Sequence, residues 1–440
     1  MDDWSSFCFV KEKSAVHQKS VNCSDMCFHA KYRTIEGTCN NLQHPMWGAS
    51  LTGFRRLLKP IYENGFSTPV GWTKGVKYFG FEKPSARLVS TEIISTDSIT
   101  PDTEITHMVM QWGQFLDHDI DHAIPSTSLE SWEGLDCKKT CAYSAPCFPM
   151  EVPENDPRIH NRRCMDFIRS SAICGSGLTS VFFDTMQPRE QINQLTAFID
   201  GSQVYGFTEE RSRLLRELSN DYGLLRIGIT SAAGKAMLPV AGSQEVDCRR
   251  DVTESNVGCF LAGDIRVNEQ VGLIAMHTIW LREHNRETTA LRDINPHWDG
   301  HTLHYEARQI IGAVMQHITY KHWMPHVLGA KGMQMLGEYQ GYNPNLDPSI
   351  SNVFATAALR FGHSLINPVL SRVIYHWAKH SSPLENSKEG GTDPSMRGLF
   401  MTAAKRKLPH ENLNNQLTEQ LFTVDTPLHW TWPHEHTAIT

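Results

Sequence analysis

The sequence lacks an apolar run approaching the roughly 20 residues of a membrane-spanning helix. Its opening stretch, MDDWSSFCFVKEKS, holds no apolar segment of signal-peptide type. Basic excess is missing too: the formal net charge is −7, and RRCMDFIRS (162–170) and KRK (405–407) are short enough to be solvated surface. Nucleic acid is therefore not an expected partner. No internal repeat and no low-complexity linker divides the chain, which points to one large domain rather than an array. The paired C-x2-C spacing of a structural zinc site is absent, and no cysteine follows Cys259.

What is present is a set of 11 cysteines, mostly in local clusters, with 22 histidines and 11 tryptophans. Buried reduced thiols are one reading of the cysteines. Short loops such as Cys27 to Cys39 and Cys248 to Cys259 suit disulfide staples better, which implies an oxidising, extracellular setting. Asn22-Cys23-Ser24 is a formal glycosylation sequon. With no export signal in the chain, we expect a fragment or a product lacking upstream modules.

The apolar periodicity predicts a mainly helical fold with few short strands. Residues 1–100 read as mostly irregular, with one amphipathic segment at 50–65 that Pro60 ends or kinks. A buried helix is expected over 103–121, opened by a Thr cap. Residues 130–180 read as a Cys-rich loop region. A short helix running into an extended turn is expected at 187–206, and a surface helix at 209–218. Long helices are expected at 263–296 and at 304–325, the latter closed by Pro325. Further helices are expected at 352–367 and 412–422.

Four places carry chemistry. His118 lies between Asp117 and Asp119 on the first buried helix. A lone His there is as readily a satisfied core residue as a ligand. Three adjacent ionisable groups in a core segment cost several kcal/mol unless paired or ligated, on the order of 100° separates their directions, and so they serve three different partners. Thr196, Phe198, Asp200 and Ser202 recur at every second residue, which in an extended segment lines up hard oxygen donors for calcium, with Asp119 able to complete the shell. The same spacing also fits an ordinary strand turning at Gly201. Arg266 and Glu269, one helical turn apart, equally fit a surface pair worth a few tenths of a kcal/mol. Of the further histidines, His277 lies in a helix core, His284 in the polar stretch REHNR reads as structural, and His363 is a candidate axial ligand.

At these residues the chain resembles the animal haem peroxidase superfamily, and its wording is most similar to the peroxidasin group. The resemblance runs through CFHAKYRTIEGTCNNLQHPMWGAS, MQWGQFLDHDID, QINQLTAFIDGSQVYG, FLAGDIRVNEQVGLIAMHTIWLREHNR and FATAALRFGHSLINP, in family order. It implies His118 as distal base with Arg266 and Gln114 beside it. It implies Asp117 and Glu269 as ester links to a haem b-derived cofactor, and His363 as the iron ligand. It further implies Asp119, Thr196, Phe198, Asp200 and Ser202 as a Ca2+ site. Gln270 stands where a sulfonium-linked methionine occurs in part of the family, so two esters and no sulfonium are implied. Disulfides Cys27–Cys39, Cys137–Cys147, Cys141–Cys164 and Cys248–Cys259 follow from the same resemblance, leaving Cys8, Cys23 and Cys174.

The implied activity is peroxidase turnover, in which hydrogen peroxide oxidises a halide (bromide within the peroxidasin group) or an organic donor. The implied partner is collagen IV of the basement membrane, outside the cell. The domain is expected over 27–422, after an irregular segment at 1–26. The family continues into a helix with an NIQRGRDHG-like motif whose Asn orients the proximal His. Residues 423–440 read TVDTPLHWTWPHEHTAIT instead, so the C-terminal helices are expected to be missing and the chain alone to be unstable or weakly active. The rival expectations are a catalytically silent interaction protein retaining the fold, a calcium module without haem, and a fatty-acid dioxygenase relative.

Overall fold

The chain's structure is a computed structural model, which describes residues 21–126, 136–231, 234–248, 258–371 and 392–419. Helix α1 (Met108–Ile120) is the central element: its last six residues, Phe115 to Ile120, are all buried. A helix buried all round needs partners on every side. Phe115 stacks on Trp280 at 6.4 Å and 8° between planes, and the Trp112 indole donates to Thr319 Oγ1 at 3.2 Å.

Trp280 belongs to α2 (Val271–Ile294), the longest described helix. The Gln270 side chain caps its start, and Asn295 leaves helical geometry just before Pro296, as the residue preceding a proline tends to. Next, α3 (Gly300–His317) begins on Asp299, whose carboxylate accepts from Thr302 N at 2.7 Å. Leu273, Ile274, Met276, Trp280 and Leu281 of α2 share one core with Ile311 and Met315 of α3 and with Phe260 and Leu261. Strands are short, and the described sheets all have two strands. The mainly helical architecture expected from periodicity is the one observed.

Several boundaries need correction. Residues 101–106 do not start the distal helix. They form β1 (Pro101–Thr106), antiparallel to β2 (Ala403–Lys405), with Thr106 opposite Ala403. The β-branched Thr103, Ile105 and Thr106 favour that pairing over helix. The 50–65 segment holds no helix. Leu57, Leu58 and Ile61 are 62%, 85% and 82% exposed, so its apolar stripe has no surface to bury against. At 187–206 the order is reversed: Ile192–Asn193 pairs with Thr52–Gly53, and the helical turn comes last, at Ser202–Tyr205.

Pro325 does not close a helix. It sits in the first turn of α4 (Met324–Leu336), where its missing N–H breaks no bond, and a π-helical turn at Ile318–Trp323 joins it to α3. The expected helix at 352–367 breaks at Ala357 into α5 (Asn352–Thr356) and a 3-10 segment, Ala358–Leu365. At 412–419 there is a two-residue strand, Leu413–Asn414, and one helical turn, Asn415–Thr418. The 1–100 region is less irregular than expected, since Ala86–Val89 is helical. So are Gly177–Phe183 and α6 (Thr392–Met401), outside the expected helices. The tail at 423–440 and Cys8 lie outside the described residues.

Cys137–Cys147, Cys141–Cys164 and Cys248–Cys259 form as expected. The first pairing is corrected: Cys39 bonds Cys23, at a Cα separation of 5.6 Å, and Cys27 is a free, exposed thiol. Cys27 rides on the helical turn Met26–His29, which has no buried face and turns the thiol outward. Cys174 is also disulfide-bonded.

Buried Arg87 donates Nε to Asp156 at 2.5 Å and Nη1 to the Thr418 carbonyl at 2.7 Å, anchoring the 415–419 turn to the 86–94 helix. The carboxylate of Asp156 is buried, yet Arg87 and two backbone N–H groups hold it well below the usual range, at about 2.

Candidate functional site

One cavity of about 340 Å³ collects most of the chemistry. α1 sends Gln114, Asp117 and His118 into it. The 264–270 turn sends Arg266, Glu269 and Gln270, and the 3-10 segment sends Arg360 and His363. Residues that are 245 positions apart in sequence, His118 and His363, therefore share one space. The 3-10 geometry places residues three apart on one side, so Arg360 and His363 enter the cavity together.

His118 is buried and His363 half-buried, and the Nδ1 of each is itself buried and lacks a hydrogen-bond partner among the described residues. Burial, with Arg266 nearby, lowers His118 to about 3. Burial, with Arg360 nearby, lowers His363 to about 4. Both rings are thus neutral near pH 7, the form in which a ring nitrogen can accept a proton or bind a metal.

Arg266 is oriented by a residue the sequence reading passed over. Asp264, buried and capping the 265–268 turn, accepts from Arg266 N at 2.8 Å, Nε at 2.9 Å and Nη2 at 2.7 Å. Burial pushes the Asp264 carboxyl up, but the Arg266 charge and its hydrogen bonds outweigh that and hold it far below the ordinary range. Arg266 stands raised in return. The signal was available: Asp immediately before a helical turn is a preferred N-cap.

Arg360 and Asp121 were also missed. Arg360 Nη1 lies 3.3 Å from Asp117 Oδ2, and Nη2 lies 3.4 Å from Asp121 Oδ1. Asp117 and Asp121 are one helical turn apart and compete for this cation. Both are pushed up by burial; Arg360, His118 and Arg266 bring Asp117 below its usual value, while Asp121, beside it, ends well above.

Glu269 accepts from Gln114 Nε2 at 2.7 Å. Burial still raises its carboxyl to about 8.

Asp119 does not line the cavity but meets the 196–202 segment. Asp119 turns away from His118 and accepts from Gly201 N at 3.2 Å and Ser202 N at 2.6 Å, while Ser202 Oγ donates to the Asp119 carbonyl at 2.7 Å. Thr196, Phe198, Asp200 and Ser202 are all buried in the adjoining segment. Among the described residues Thr196 Oγ1 and Asp200 Oδ1 meet no partner at hydrogen-bonding geometry, though Thr196 lies close enough to Asp200 to lower its carboxyl slightly. Burial and the charge of Asp200 raise Asp119 to about 8, and burial raises Asp200 as well. The nearest described cation, Arg308, is 3.5 Å from Asp200. Two buried carboxylates and a buried hydroxyl form an oxygen donor set suited to a hard cation.

The other two histidines noted in the sequence, His277 and His284, stand outside the cavity. His284 lies between the Tyr205 hydroxyl at 2.9 Å and the Gly223 carbonyl at 3.0 Å, and His277 packs edge-on against Phe115.

The family model described as animal haem peroxidase matches residues 32–430. Peroxidasin of Drosophila melanogaster is 62% identical over 418 residues, covering 92% of this chain and 27% of that protein. The human peroxidasin homolog is 53% identical over 421 residues, covering 93% and 28%. The chain thus spans little more than a quarter of these relatives' length. Among solved structures, peroxidase A from Dictyostelium discoideum superposes with a TM-score of 0.67 at 24% identity, covering 88% of this chain and 71% of that one. A rice fatty acid alpha-dioxygenase superposes at 0.62 with 18% identity, over 88% and 61%. Those two likenesses speak for the fold. The sequence match along most of its length decides the family: this chain belongs to the animal haem peroxidases.

Proposed function

We propose that the chain is a haem peroxidase domain that uses hydrogen peroxide to oxidise a halide or an organic donor. The observation carrying this is the single cavity that brings neutral His118 with Arg266 opposite neutral His363, both rings with a buried, unpartnered Nδ1. In this reading His363 holds the haem iron. Arg360, the cation nearest Asp117 and Asp121, would bind a cofactor carboxylate, and Asp117 and Glu269 would form the esters. Haem, when bound, supplies the redox chemistry.

The chain's own residues handle the protons. His118 takes one from the bound peroxide and returns it to the departing oxygen, acting as base and then acid. Its low basicity helps the second half, because its protonated form gives the proton up readily. Arg266, held rigid by Asp264, offers positive charge to the departing oxygen without reorganising. Gln114 lines the same space and supplies a carboxamide for water or halide. Bromide as donor, and collagen IV crosslinking in the extracellular matrix, extend this reading on the likeness to the peroxidasin group. Four stapled loops fit an extracellular setting, and among the described residues no helix is long and apolar enough to cross a membrane.

Titration of the purified chain with haem tests the core of the proposal. A saturable Soret band is expected, with affinity reduced about tenfold or more in His363→Ala. Equal uptake by His363→Ala, or none by the wild type, speaks against it.

Asp119, Thr196, Phe198, Asp200 and Ser202 would hold Ca2+, with Phe198 contributing its carbonyl. Calcium would lower both raised carboxyls and satisfy Thr196. At 100 times its Kd it should stabilise the fold by about 2.7 kcal/mol, read as a rise in melting temperature. Asp200→Ala should abolish that rise; an unchanged response in this variant removes the assignment.

A further inference from the structure

A buried chain of carboxamides stands behind the distal residues, and its polarity is fixed from one end. Gly272 N, in the first turn of α2, donates to Gln270 Oε1 at 2.6 Å. A backbone N–H can only donate, so the other end of that carboxamide, Nε2, faces its neighbours as donor. It donates to Gln111 Oε1 at 2.7 Å and to Gln114 Oε1 at 2.9 Å. With its oxygen engaged, Gln114 turns Nε2 to Glu269 Oε2 at 2.7 Å. Gln111 and Gln270 are 0% and 2% exposed, so water does not compete for these bonds. Gly272 is part of the arrangement: a Cβ there would lie 2.3 Å from Gln111 Oε1 and 2.7 Å from Gln270 Oε1.

We propose that Gln270 and Gln111 are positioning residues that, through Gln114, hold the Glu269 carboxyl group aimed for its covalent attachment to the cofactor. The inference rests on the haem reading above. Attachment joins a Glu269 oxygen to a haem methyl carbon and breaks one C–H bond. The methyl loses two electrons and a proton; hydrogen peroxide accepts the electrons and, with two protons, leaves as two waters. The ionised carboxylate is the stronger oxygen nucleophile. Burial works against that form, and the Gln114 donor works for it. In this reading Asp117 would make its own link, held by Arg360 and Arg266 and not by the carboxamides.

The test compares the two links within one molecule. Wild-type chain, Gln270→Leu and Gly272→Ala are loaded with haem, treated with hydrogen peroxide and digested, and haem-bearing peptides containing Glu269 and Asp117 are quantified by mass spectrometry. In Gln270→Leu the Glu269 link should form about tenfold more slowly at pH 7, as a carboxyl raised one further pH unit would. Its rate should recover as pH rises, while the Asp117 link stays within about twofold. Gly272→Ala should shift the ratio the same way, although alanine is the better helix former. A parallel fall of both links, or an unchanged Glu269 link in both variants, overturns the relay. A wild-type chain that takes up no haem overturns the parent reading and the relay with it.

Discussion

His118→Leu should lower the rate of peroxide consumption by the haem-loaded chain about a thousandfold, within the range that a positioned acid–base group supplies. The substitution leaves the other cavity groups in place. His118 Nδ1 has no hydrogen-bond partner, so its removal strands no described donor or acceptor. Leucine fits an apolar helix whose neighbours Phe115, Leu116 and Ile120 are buried. Haem uptake should therefore stay within a few fold of wild type, since His363 comes from the 358–365 segment. The loss falls on proton transfer alone: Arg266 is positively charged, engaged by Asp264, and has no lone pair to substitute as a base. Stopped-flow mixing with peroxide measures the rate, and one within tenfold of wild type would remove His118 from the chemistry.

The site was more legible than the scaffold. His118, Arg266, Glu269 and His363 share one cavity; His118 and His363 stood out as rings on apolar segments, while Arg266 and Glu269, in the polar stretch GDIRVNEQ, were drawn out only by the family resemblance. The separation of Asp117 from Asp119 followed from helix geometry alone, and the structure sends one towards Arg360 and the other towards Ser202. The scaffold failed where long-range pairing decides. The strand at 101–106 depends on residues 403–405, some 300 positions away, and nothing local reports them. The 50–65 stripe has helical spacing, yet spacing says nothing about whether an opposing surface exists. Cys39 had two partners at feasible loop lengths, and the turn carrying Cys27 chose between them. Asp264 and Arg360 were missed for other reasons: Asp264 acts on Arg266 two positions along and looks like ordinary surface charge until burial is known, and Arg360 meets Asp117 and Asp121 from some 240 positions away.

Asp264→Leu carries the second large effect. It leaves Arg266 buried with its main anion gone, and breaking one side of a buried pair costs about 3–5 kcal/mol. The remaining anion, Asp117, lies 4.0 Å from Arg266 and is already shared with Arg360, so it compensates only in part. Removing both charges should be milder: in Asp264→Leu/Arg266→Leu no guanidinium is stranded, and a well-packed apolar pair can be nearly neutral. Urea denaturation of the wild type, the two single variants and the double variant measures the difference. The pair is coupled if the double variant is more stable than Asp264→Leu alone. Strict additivity, or a loss below about 1 kcal/mol in Asp264→Leu, would show that Asp264 does not hold Arg266. Activity should separate from stability in the same set. Asp264→Asn keeps an acceptor for the backbone N–H of Arg266 but loses the second charged contact to its guanidinium. It should lose less stability than Asp264→Leu and still turn over more slowly, because the guanidinium must then be oriented during the reaction instead of before it.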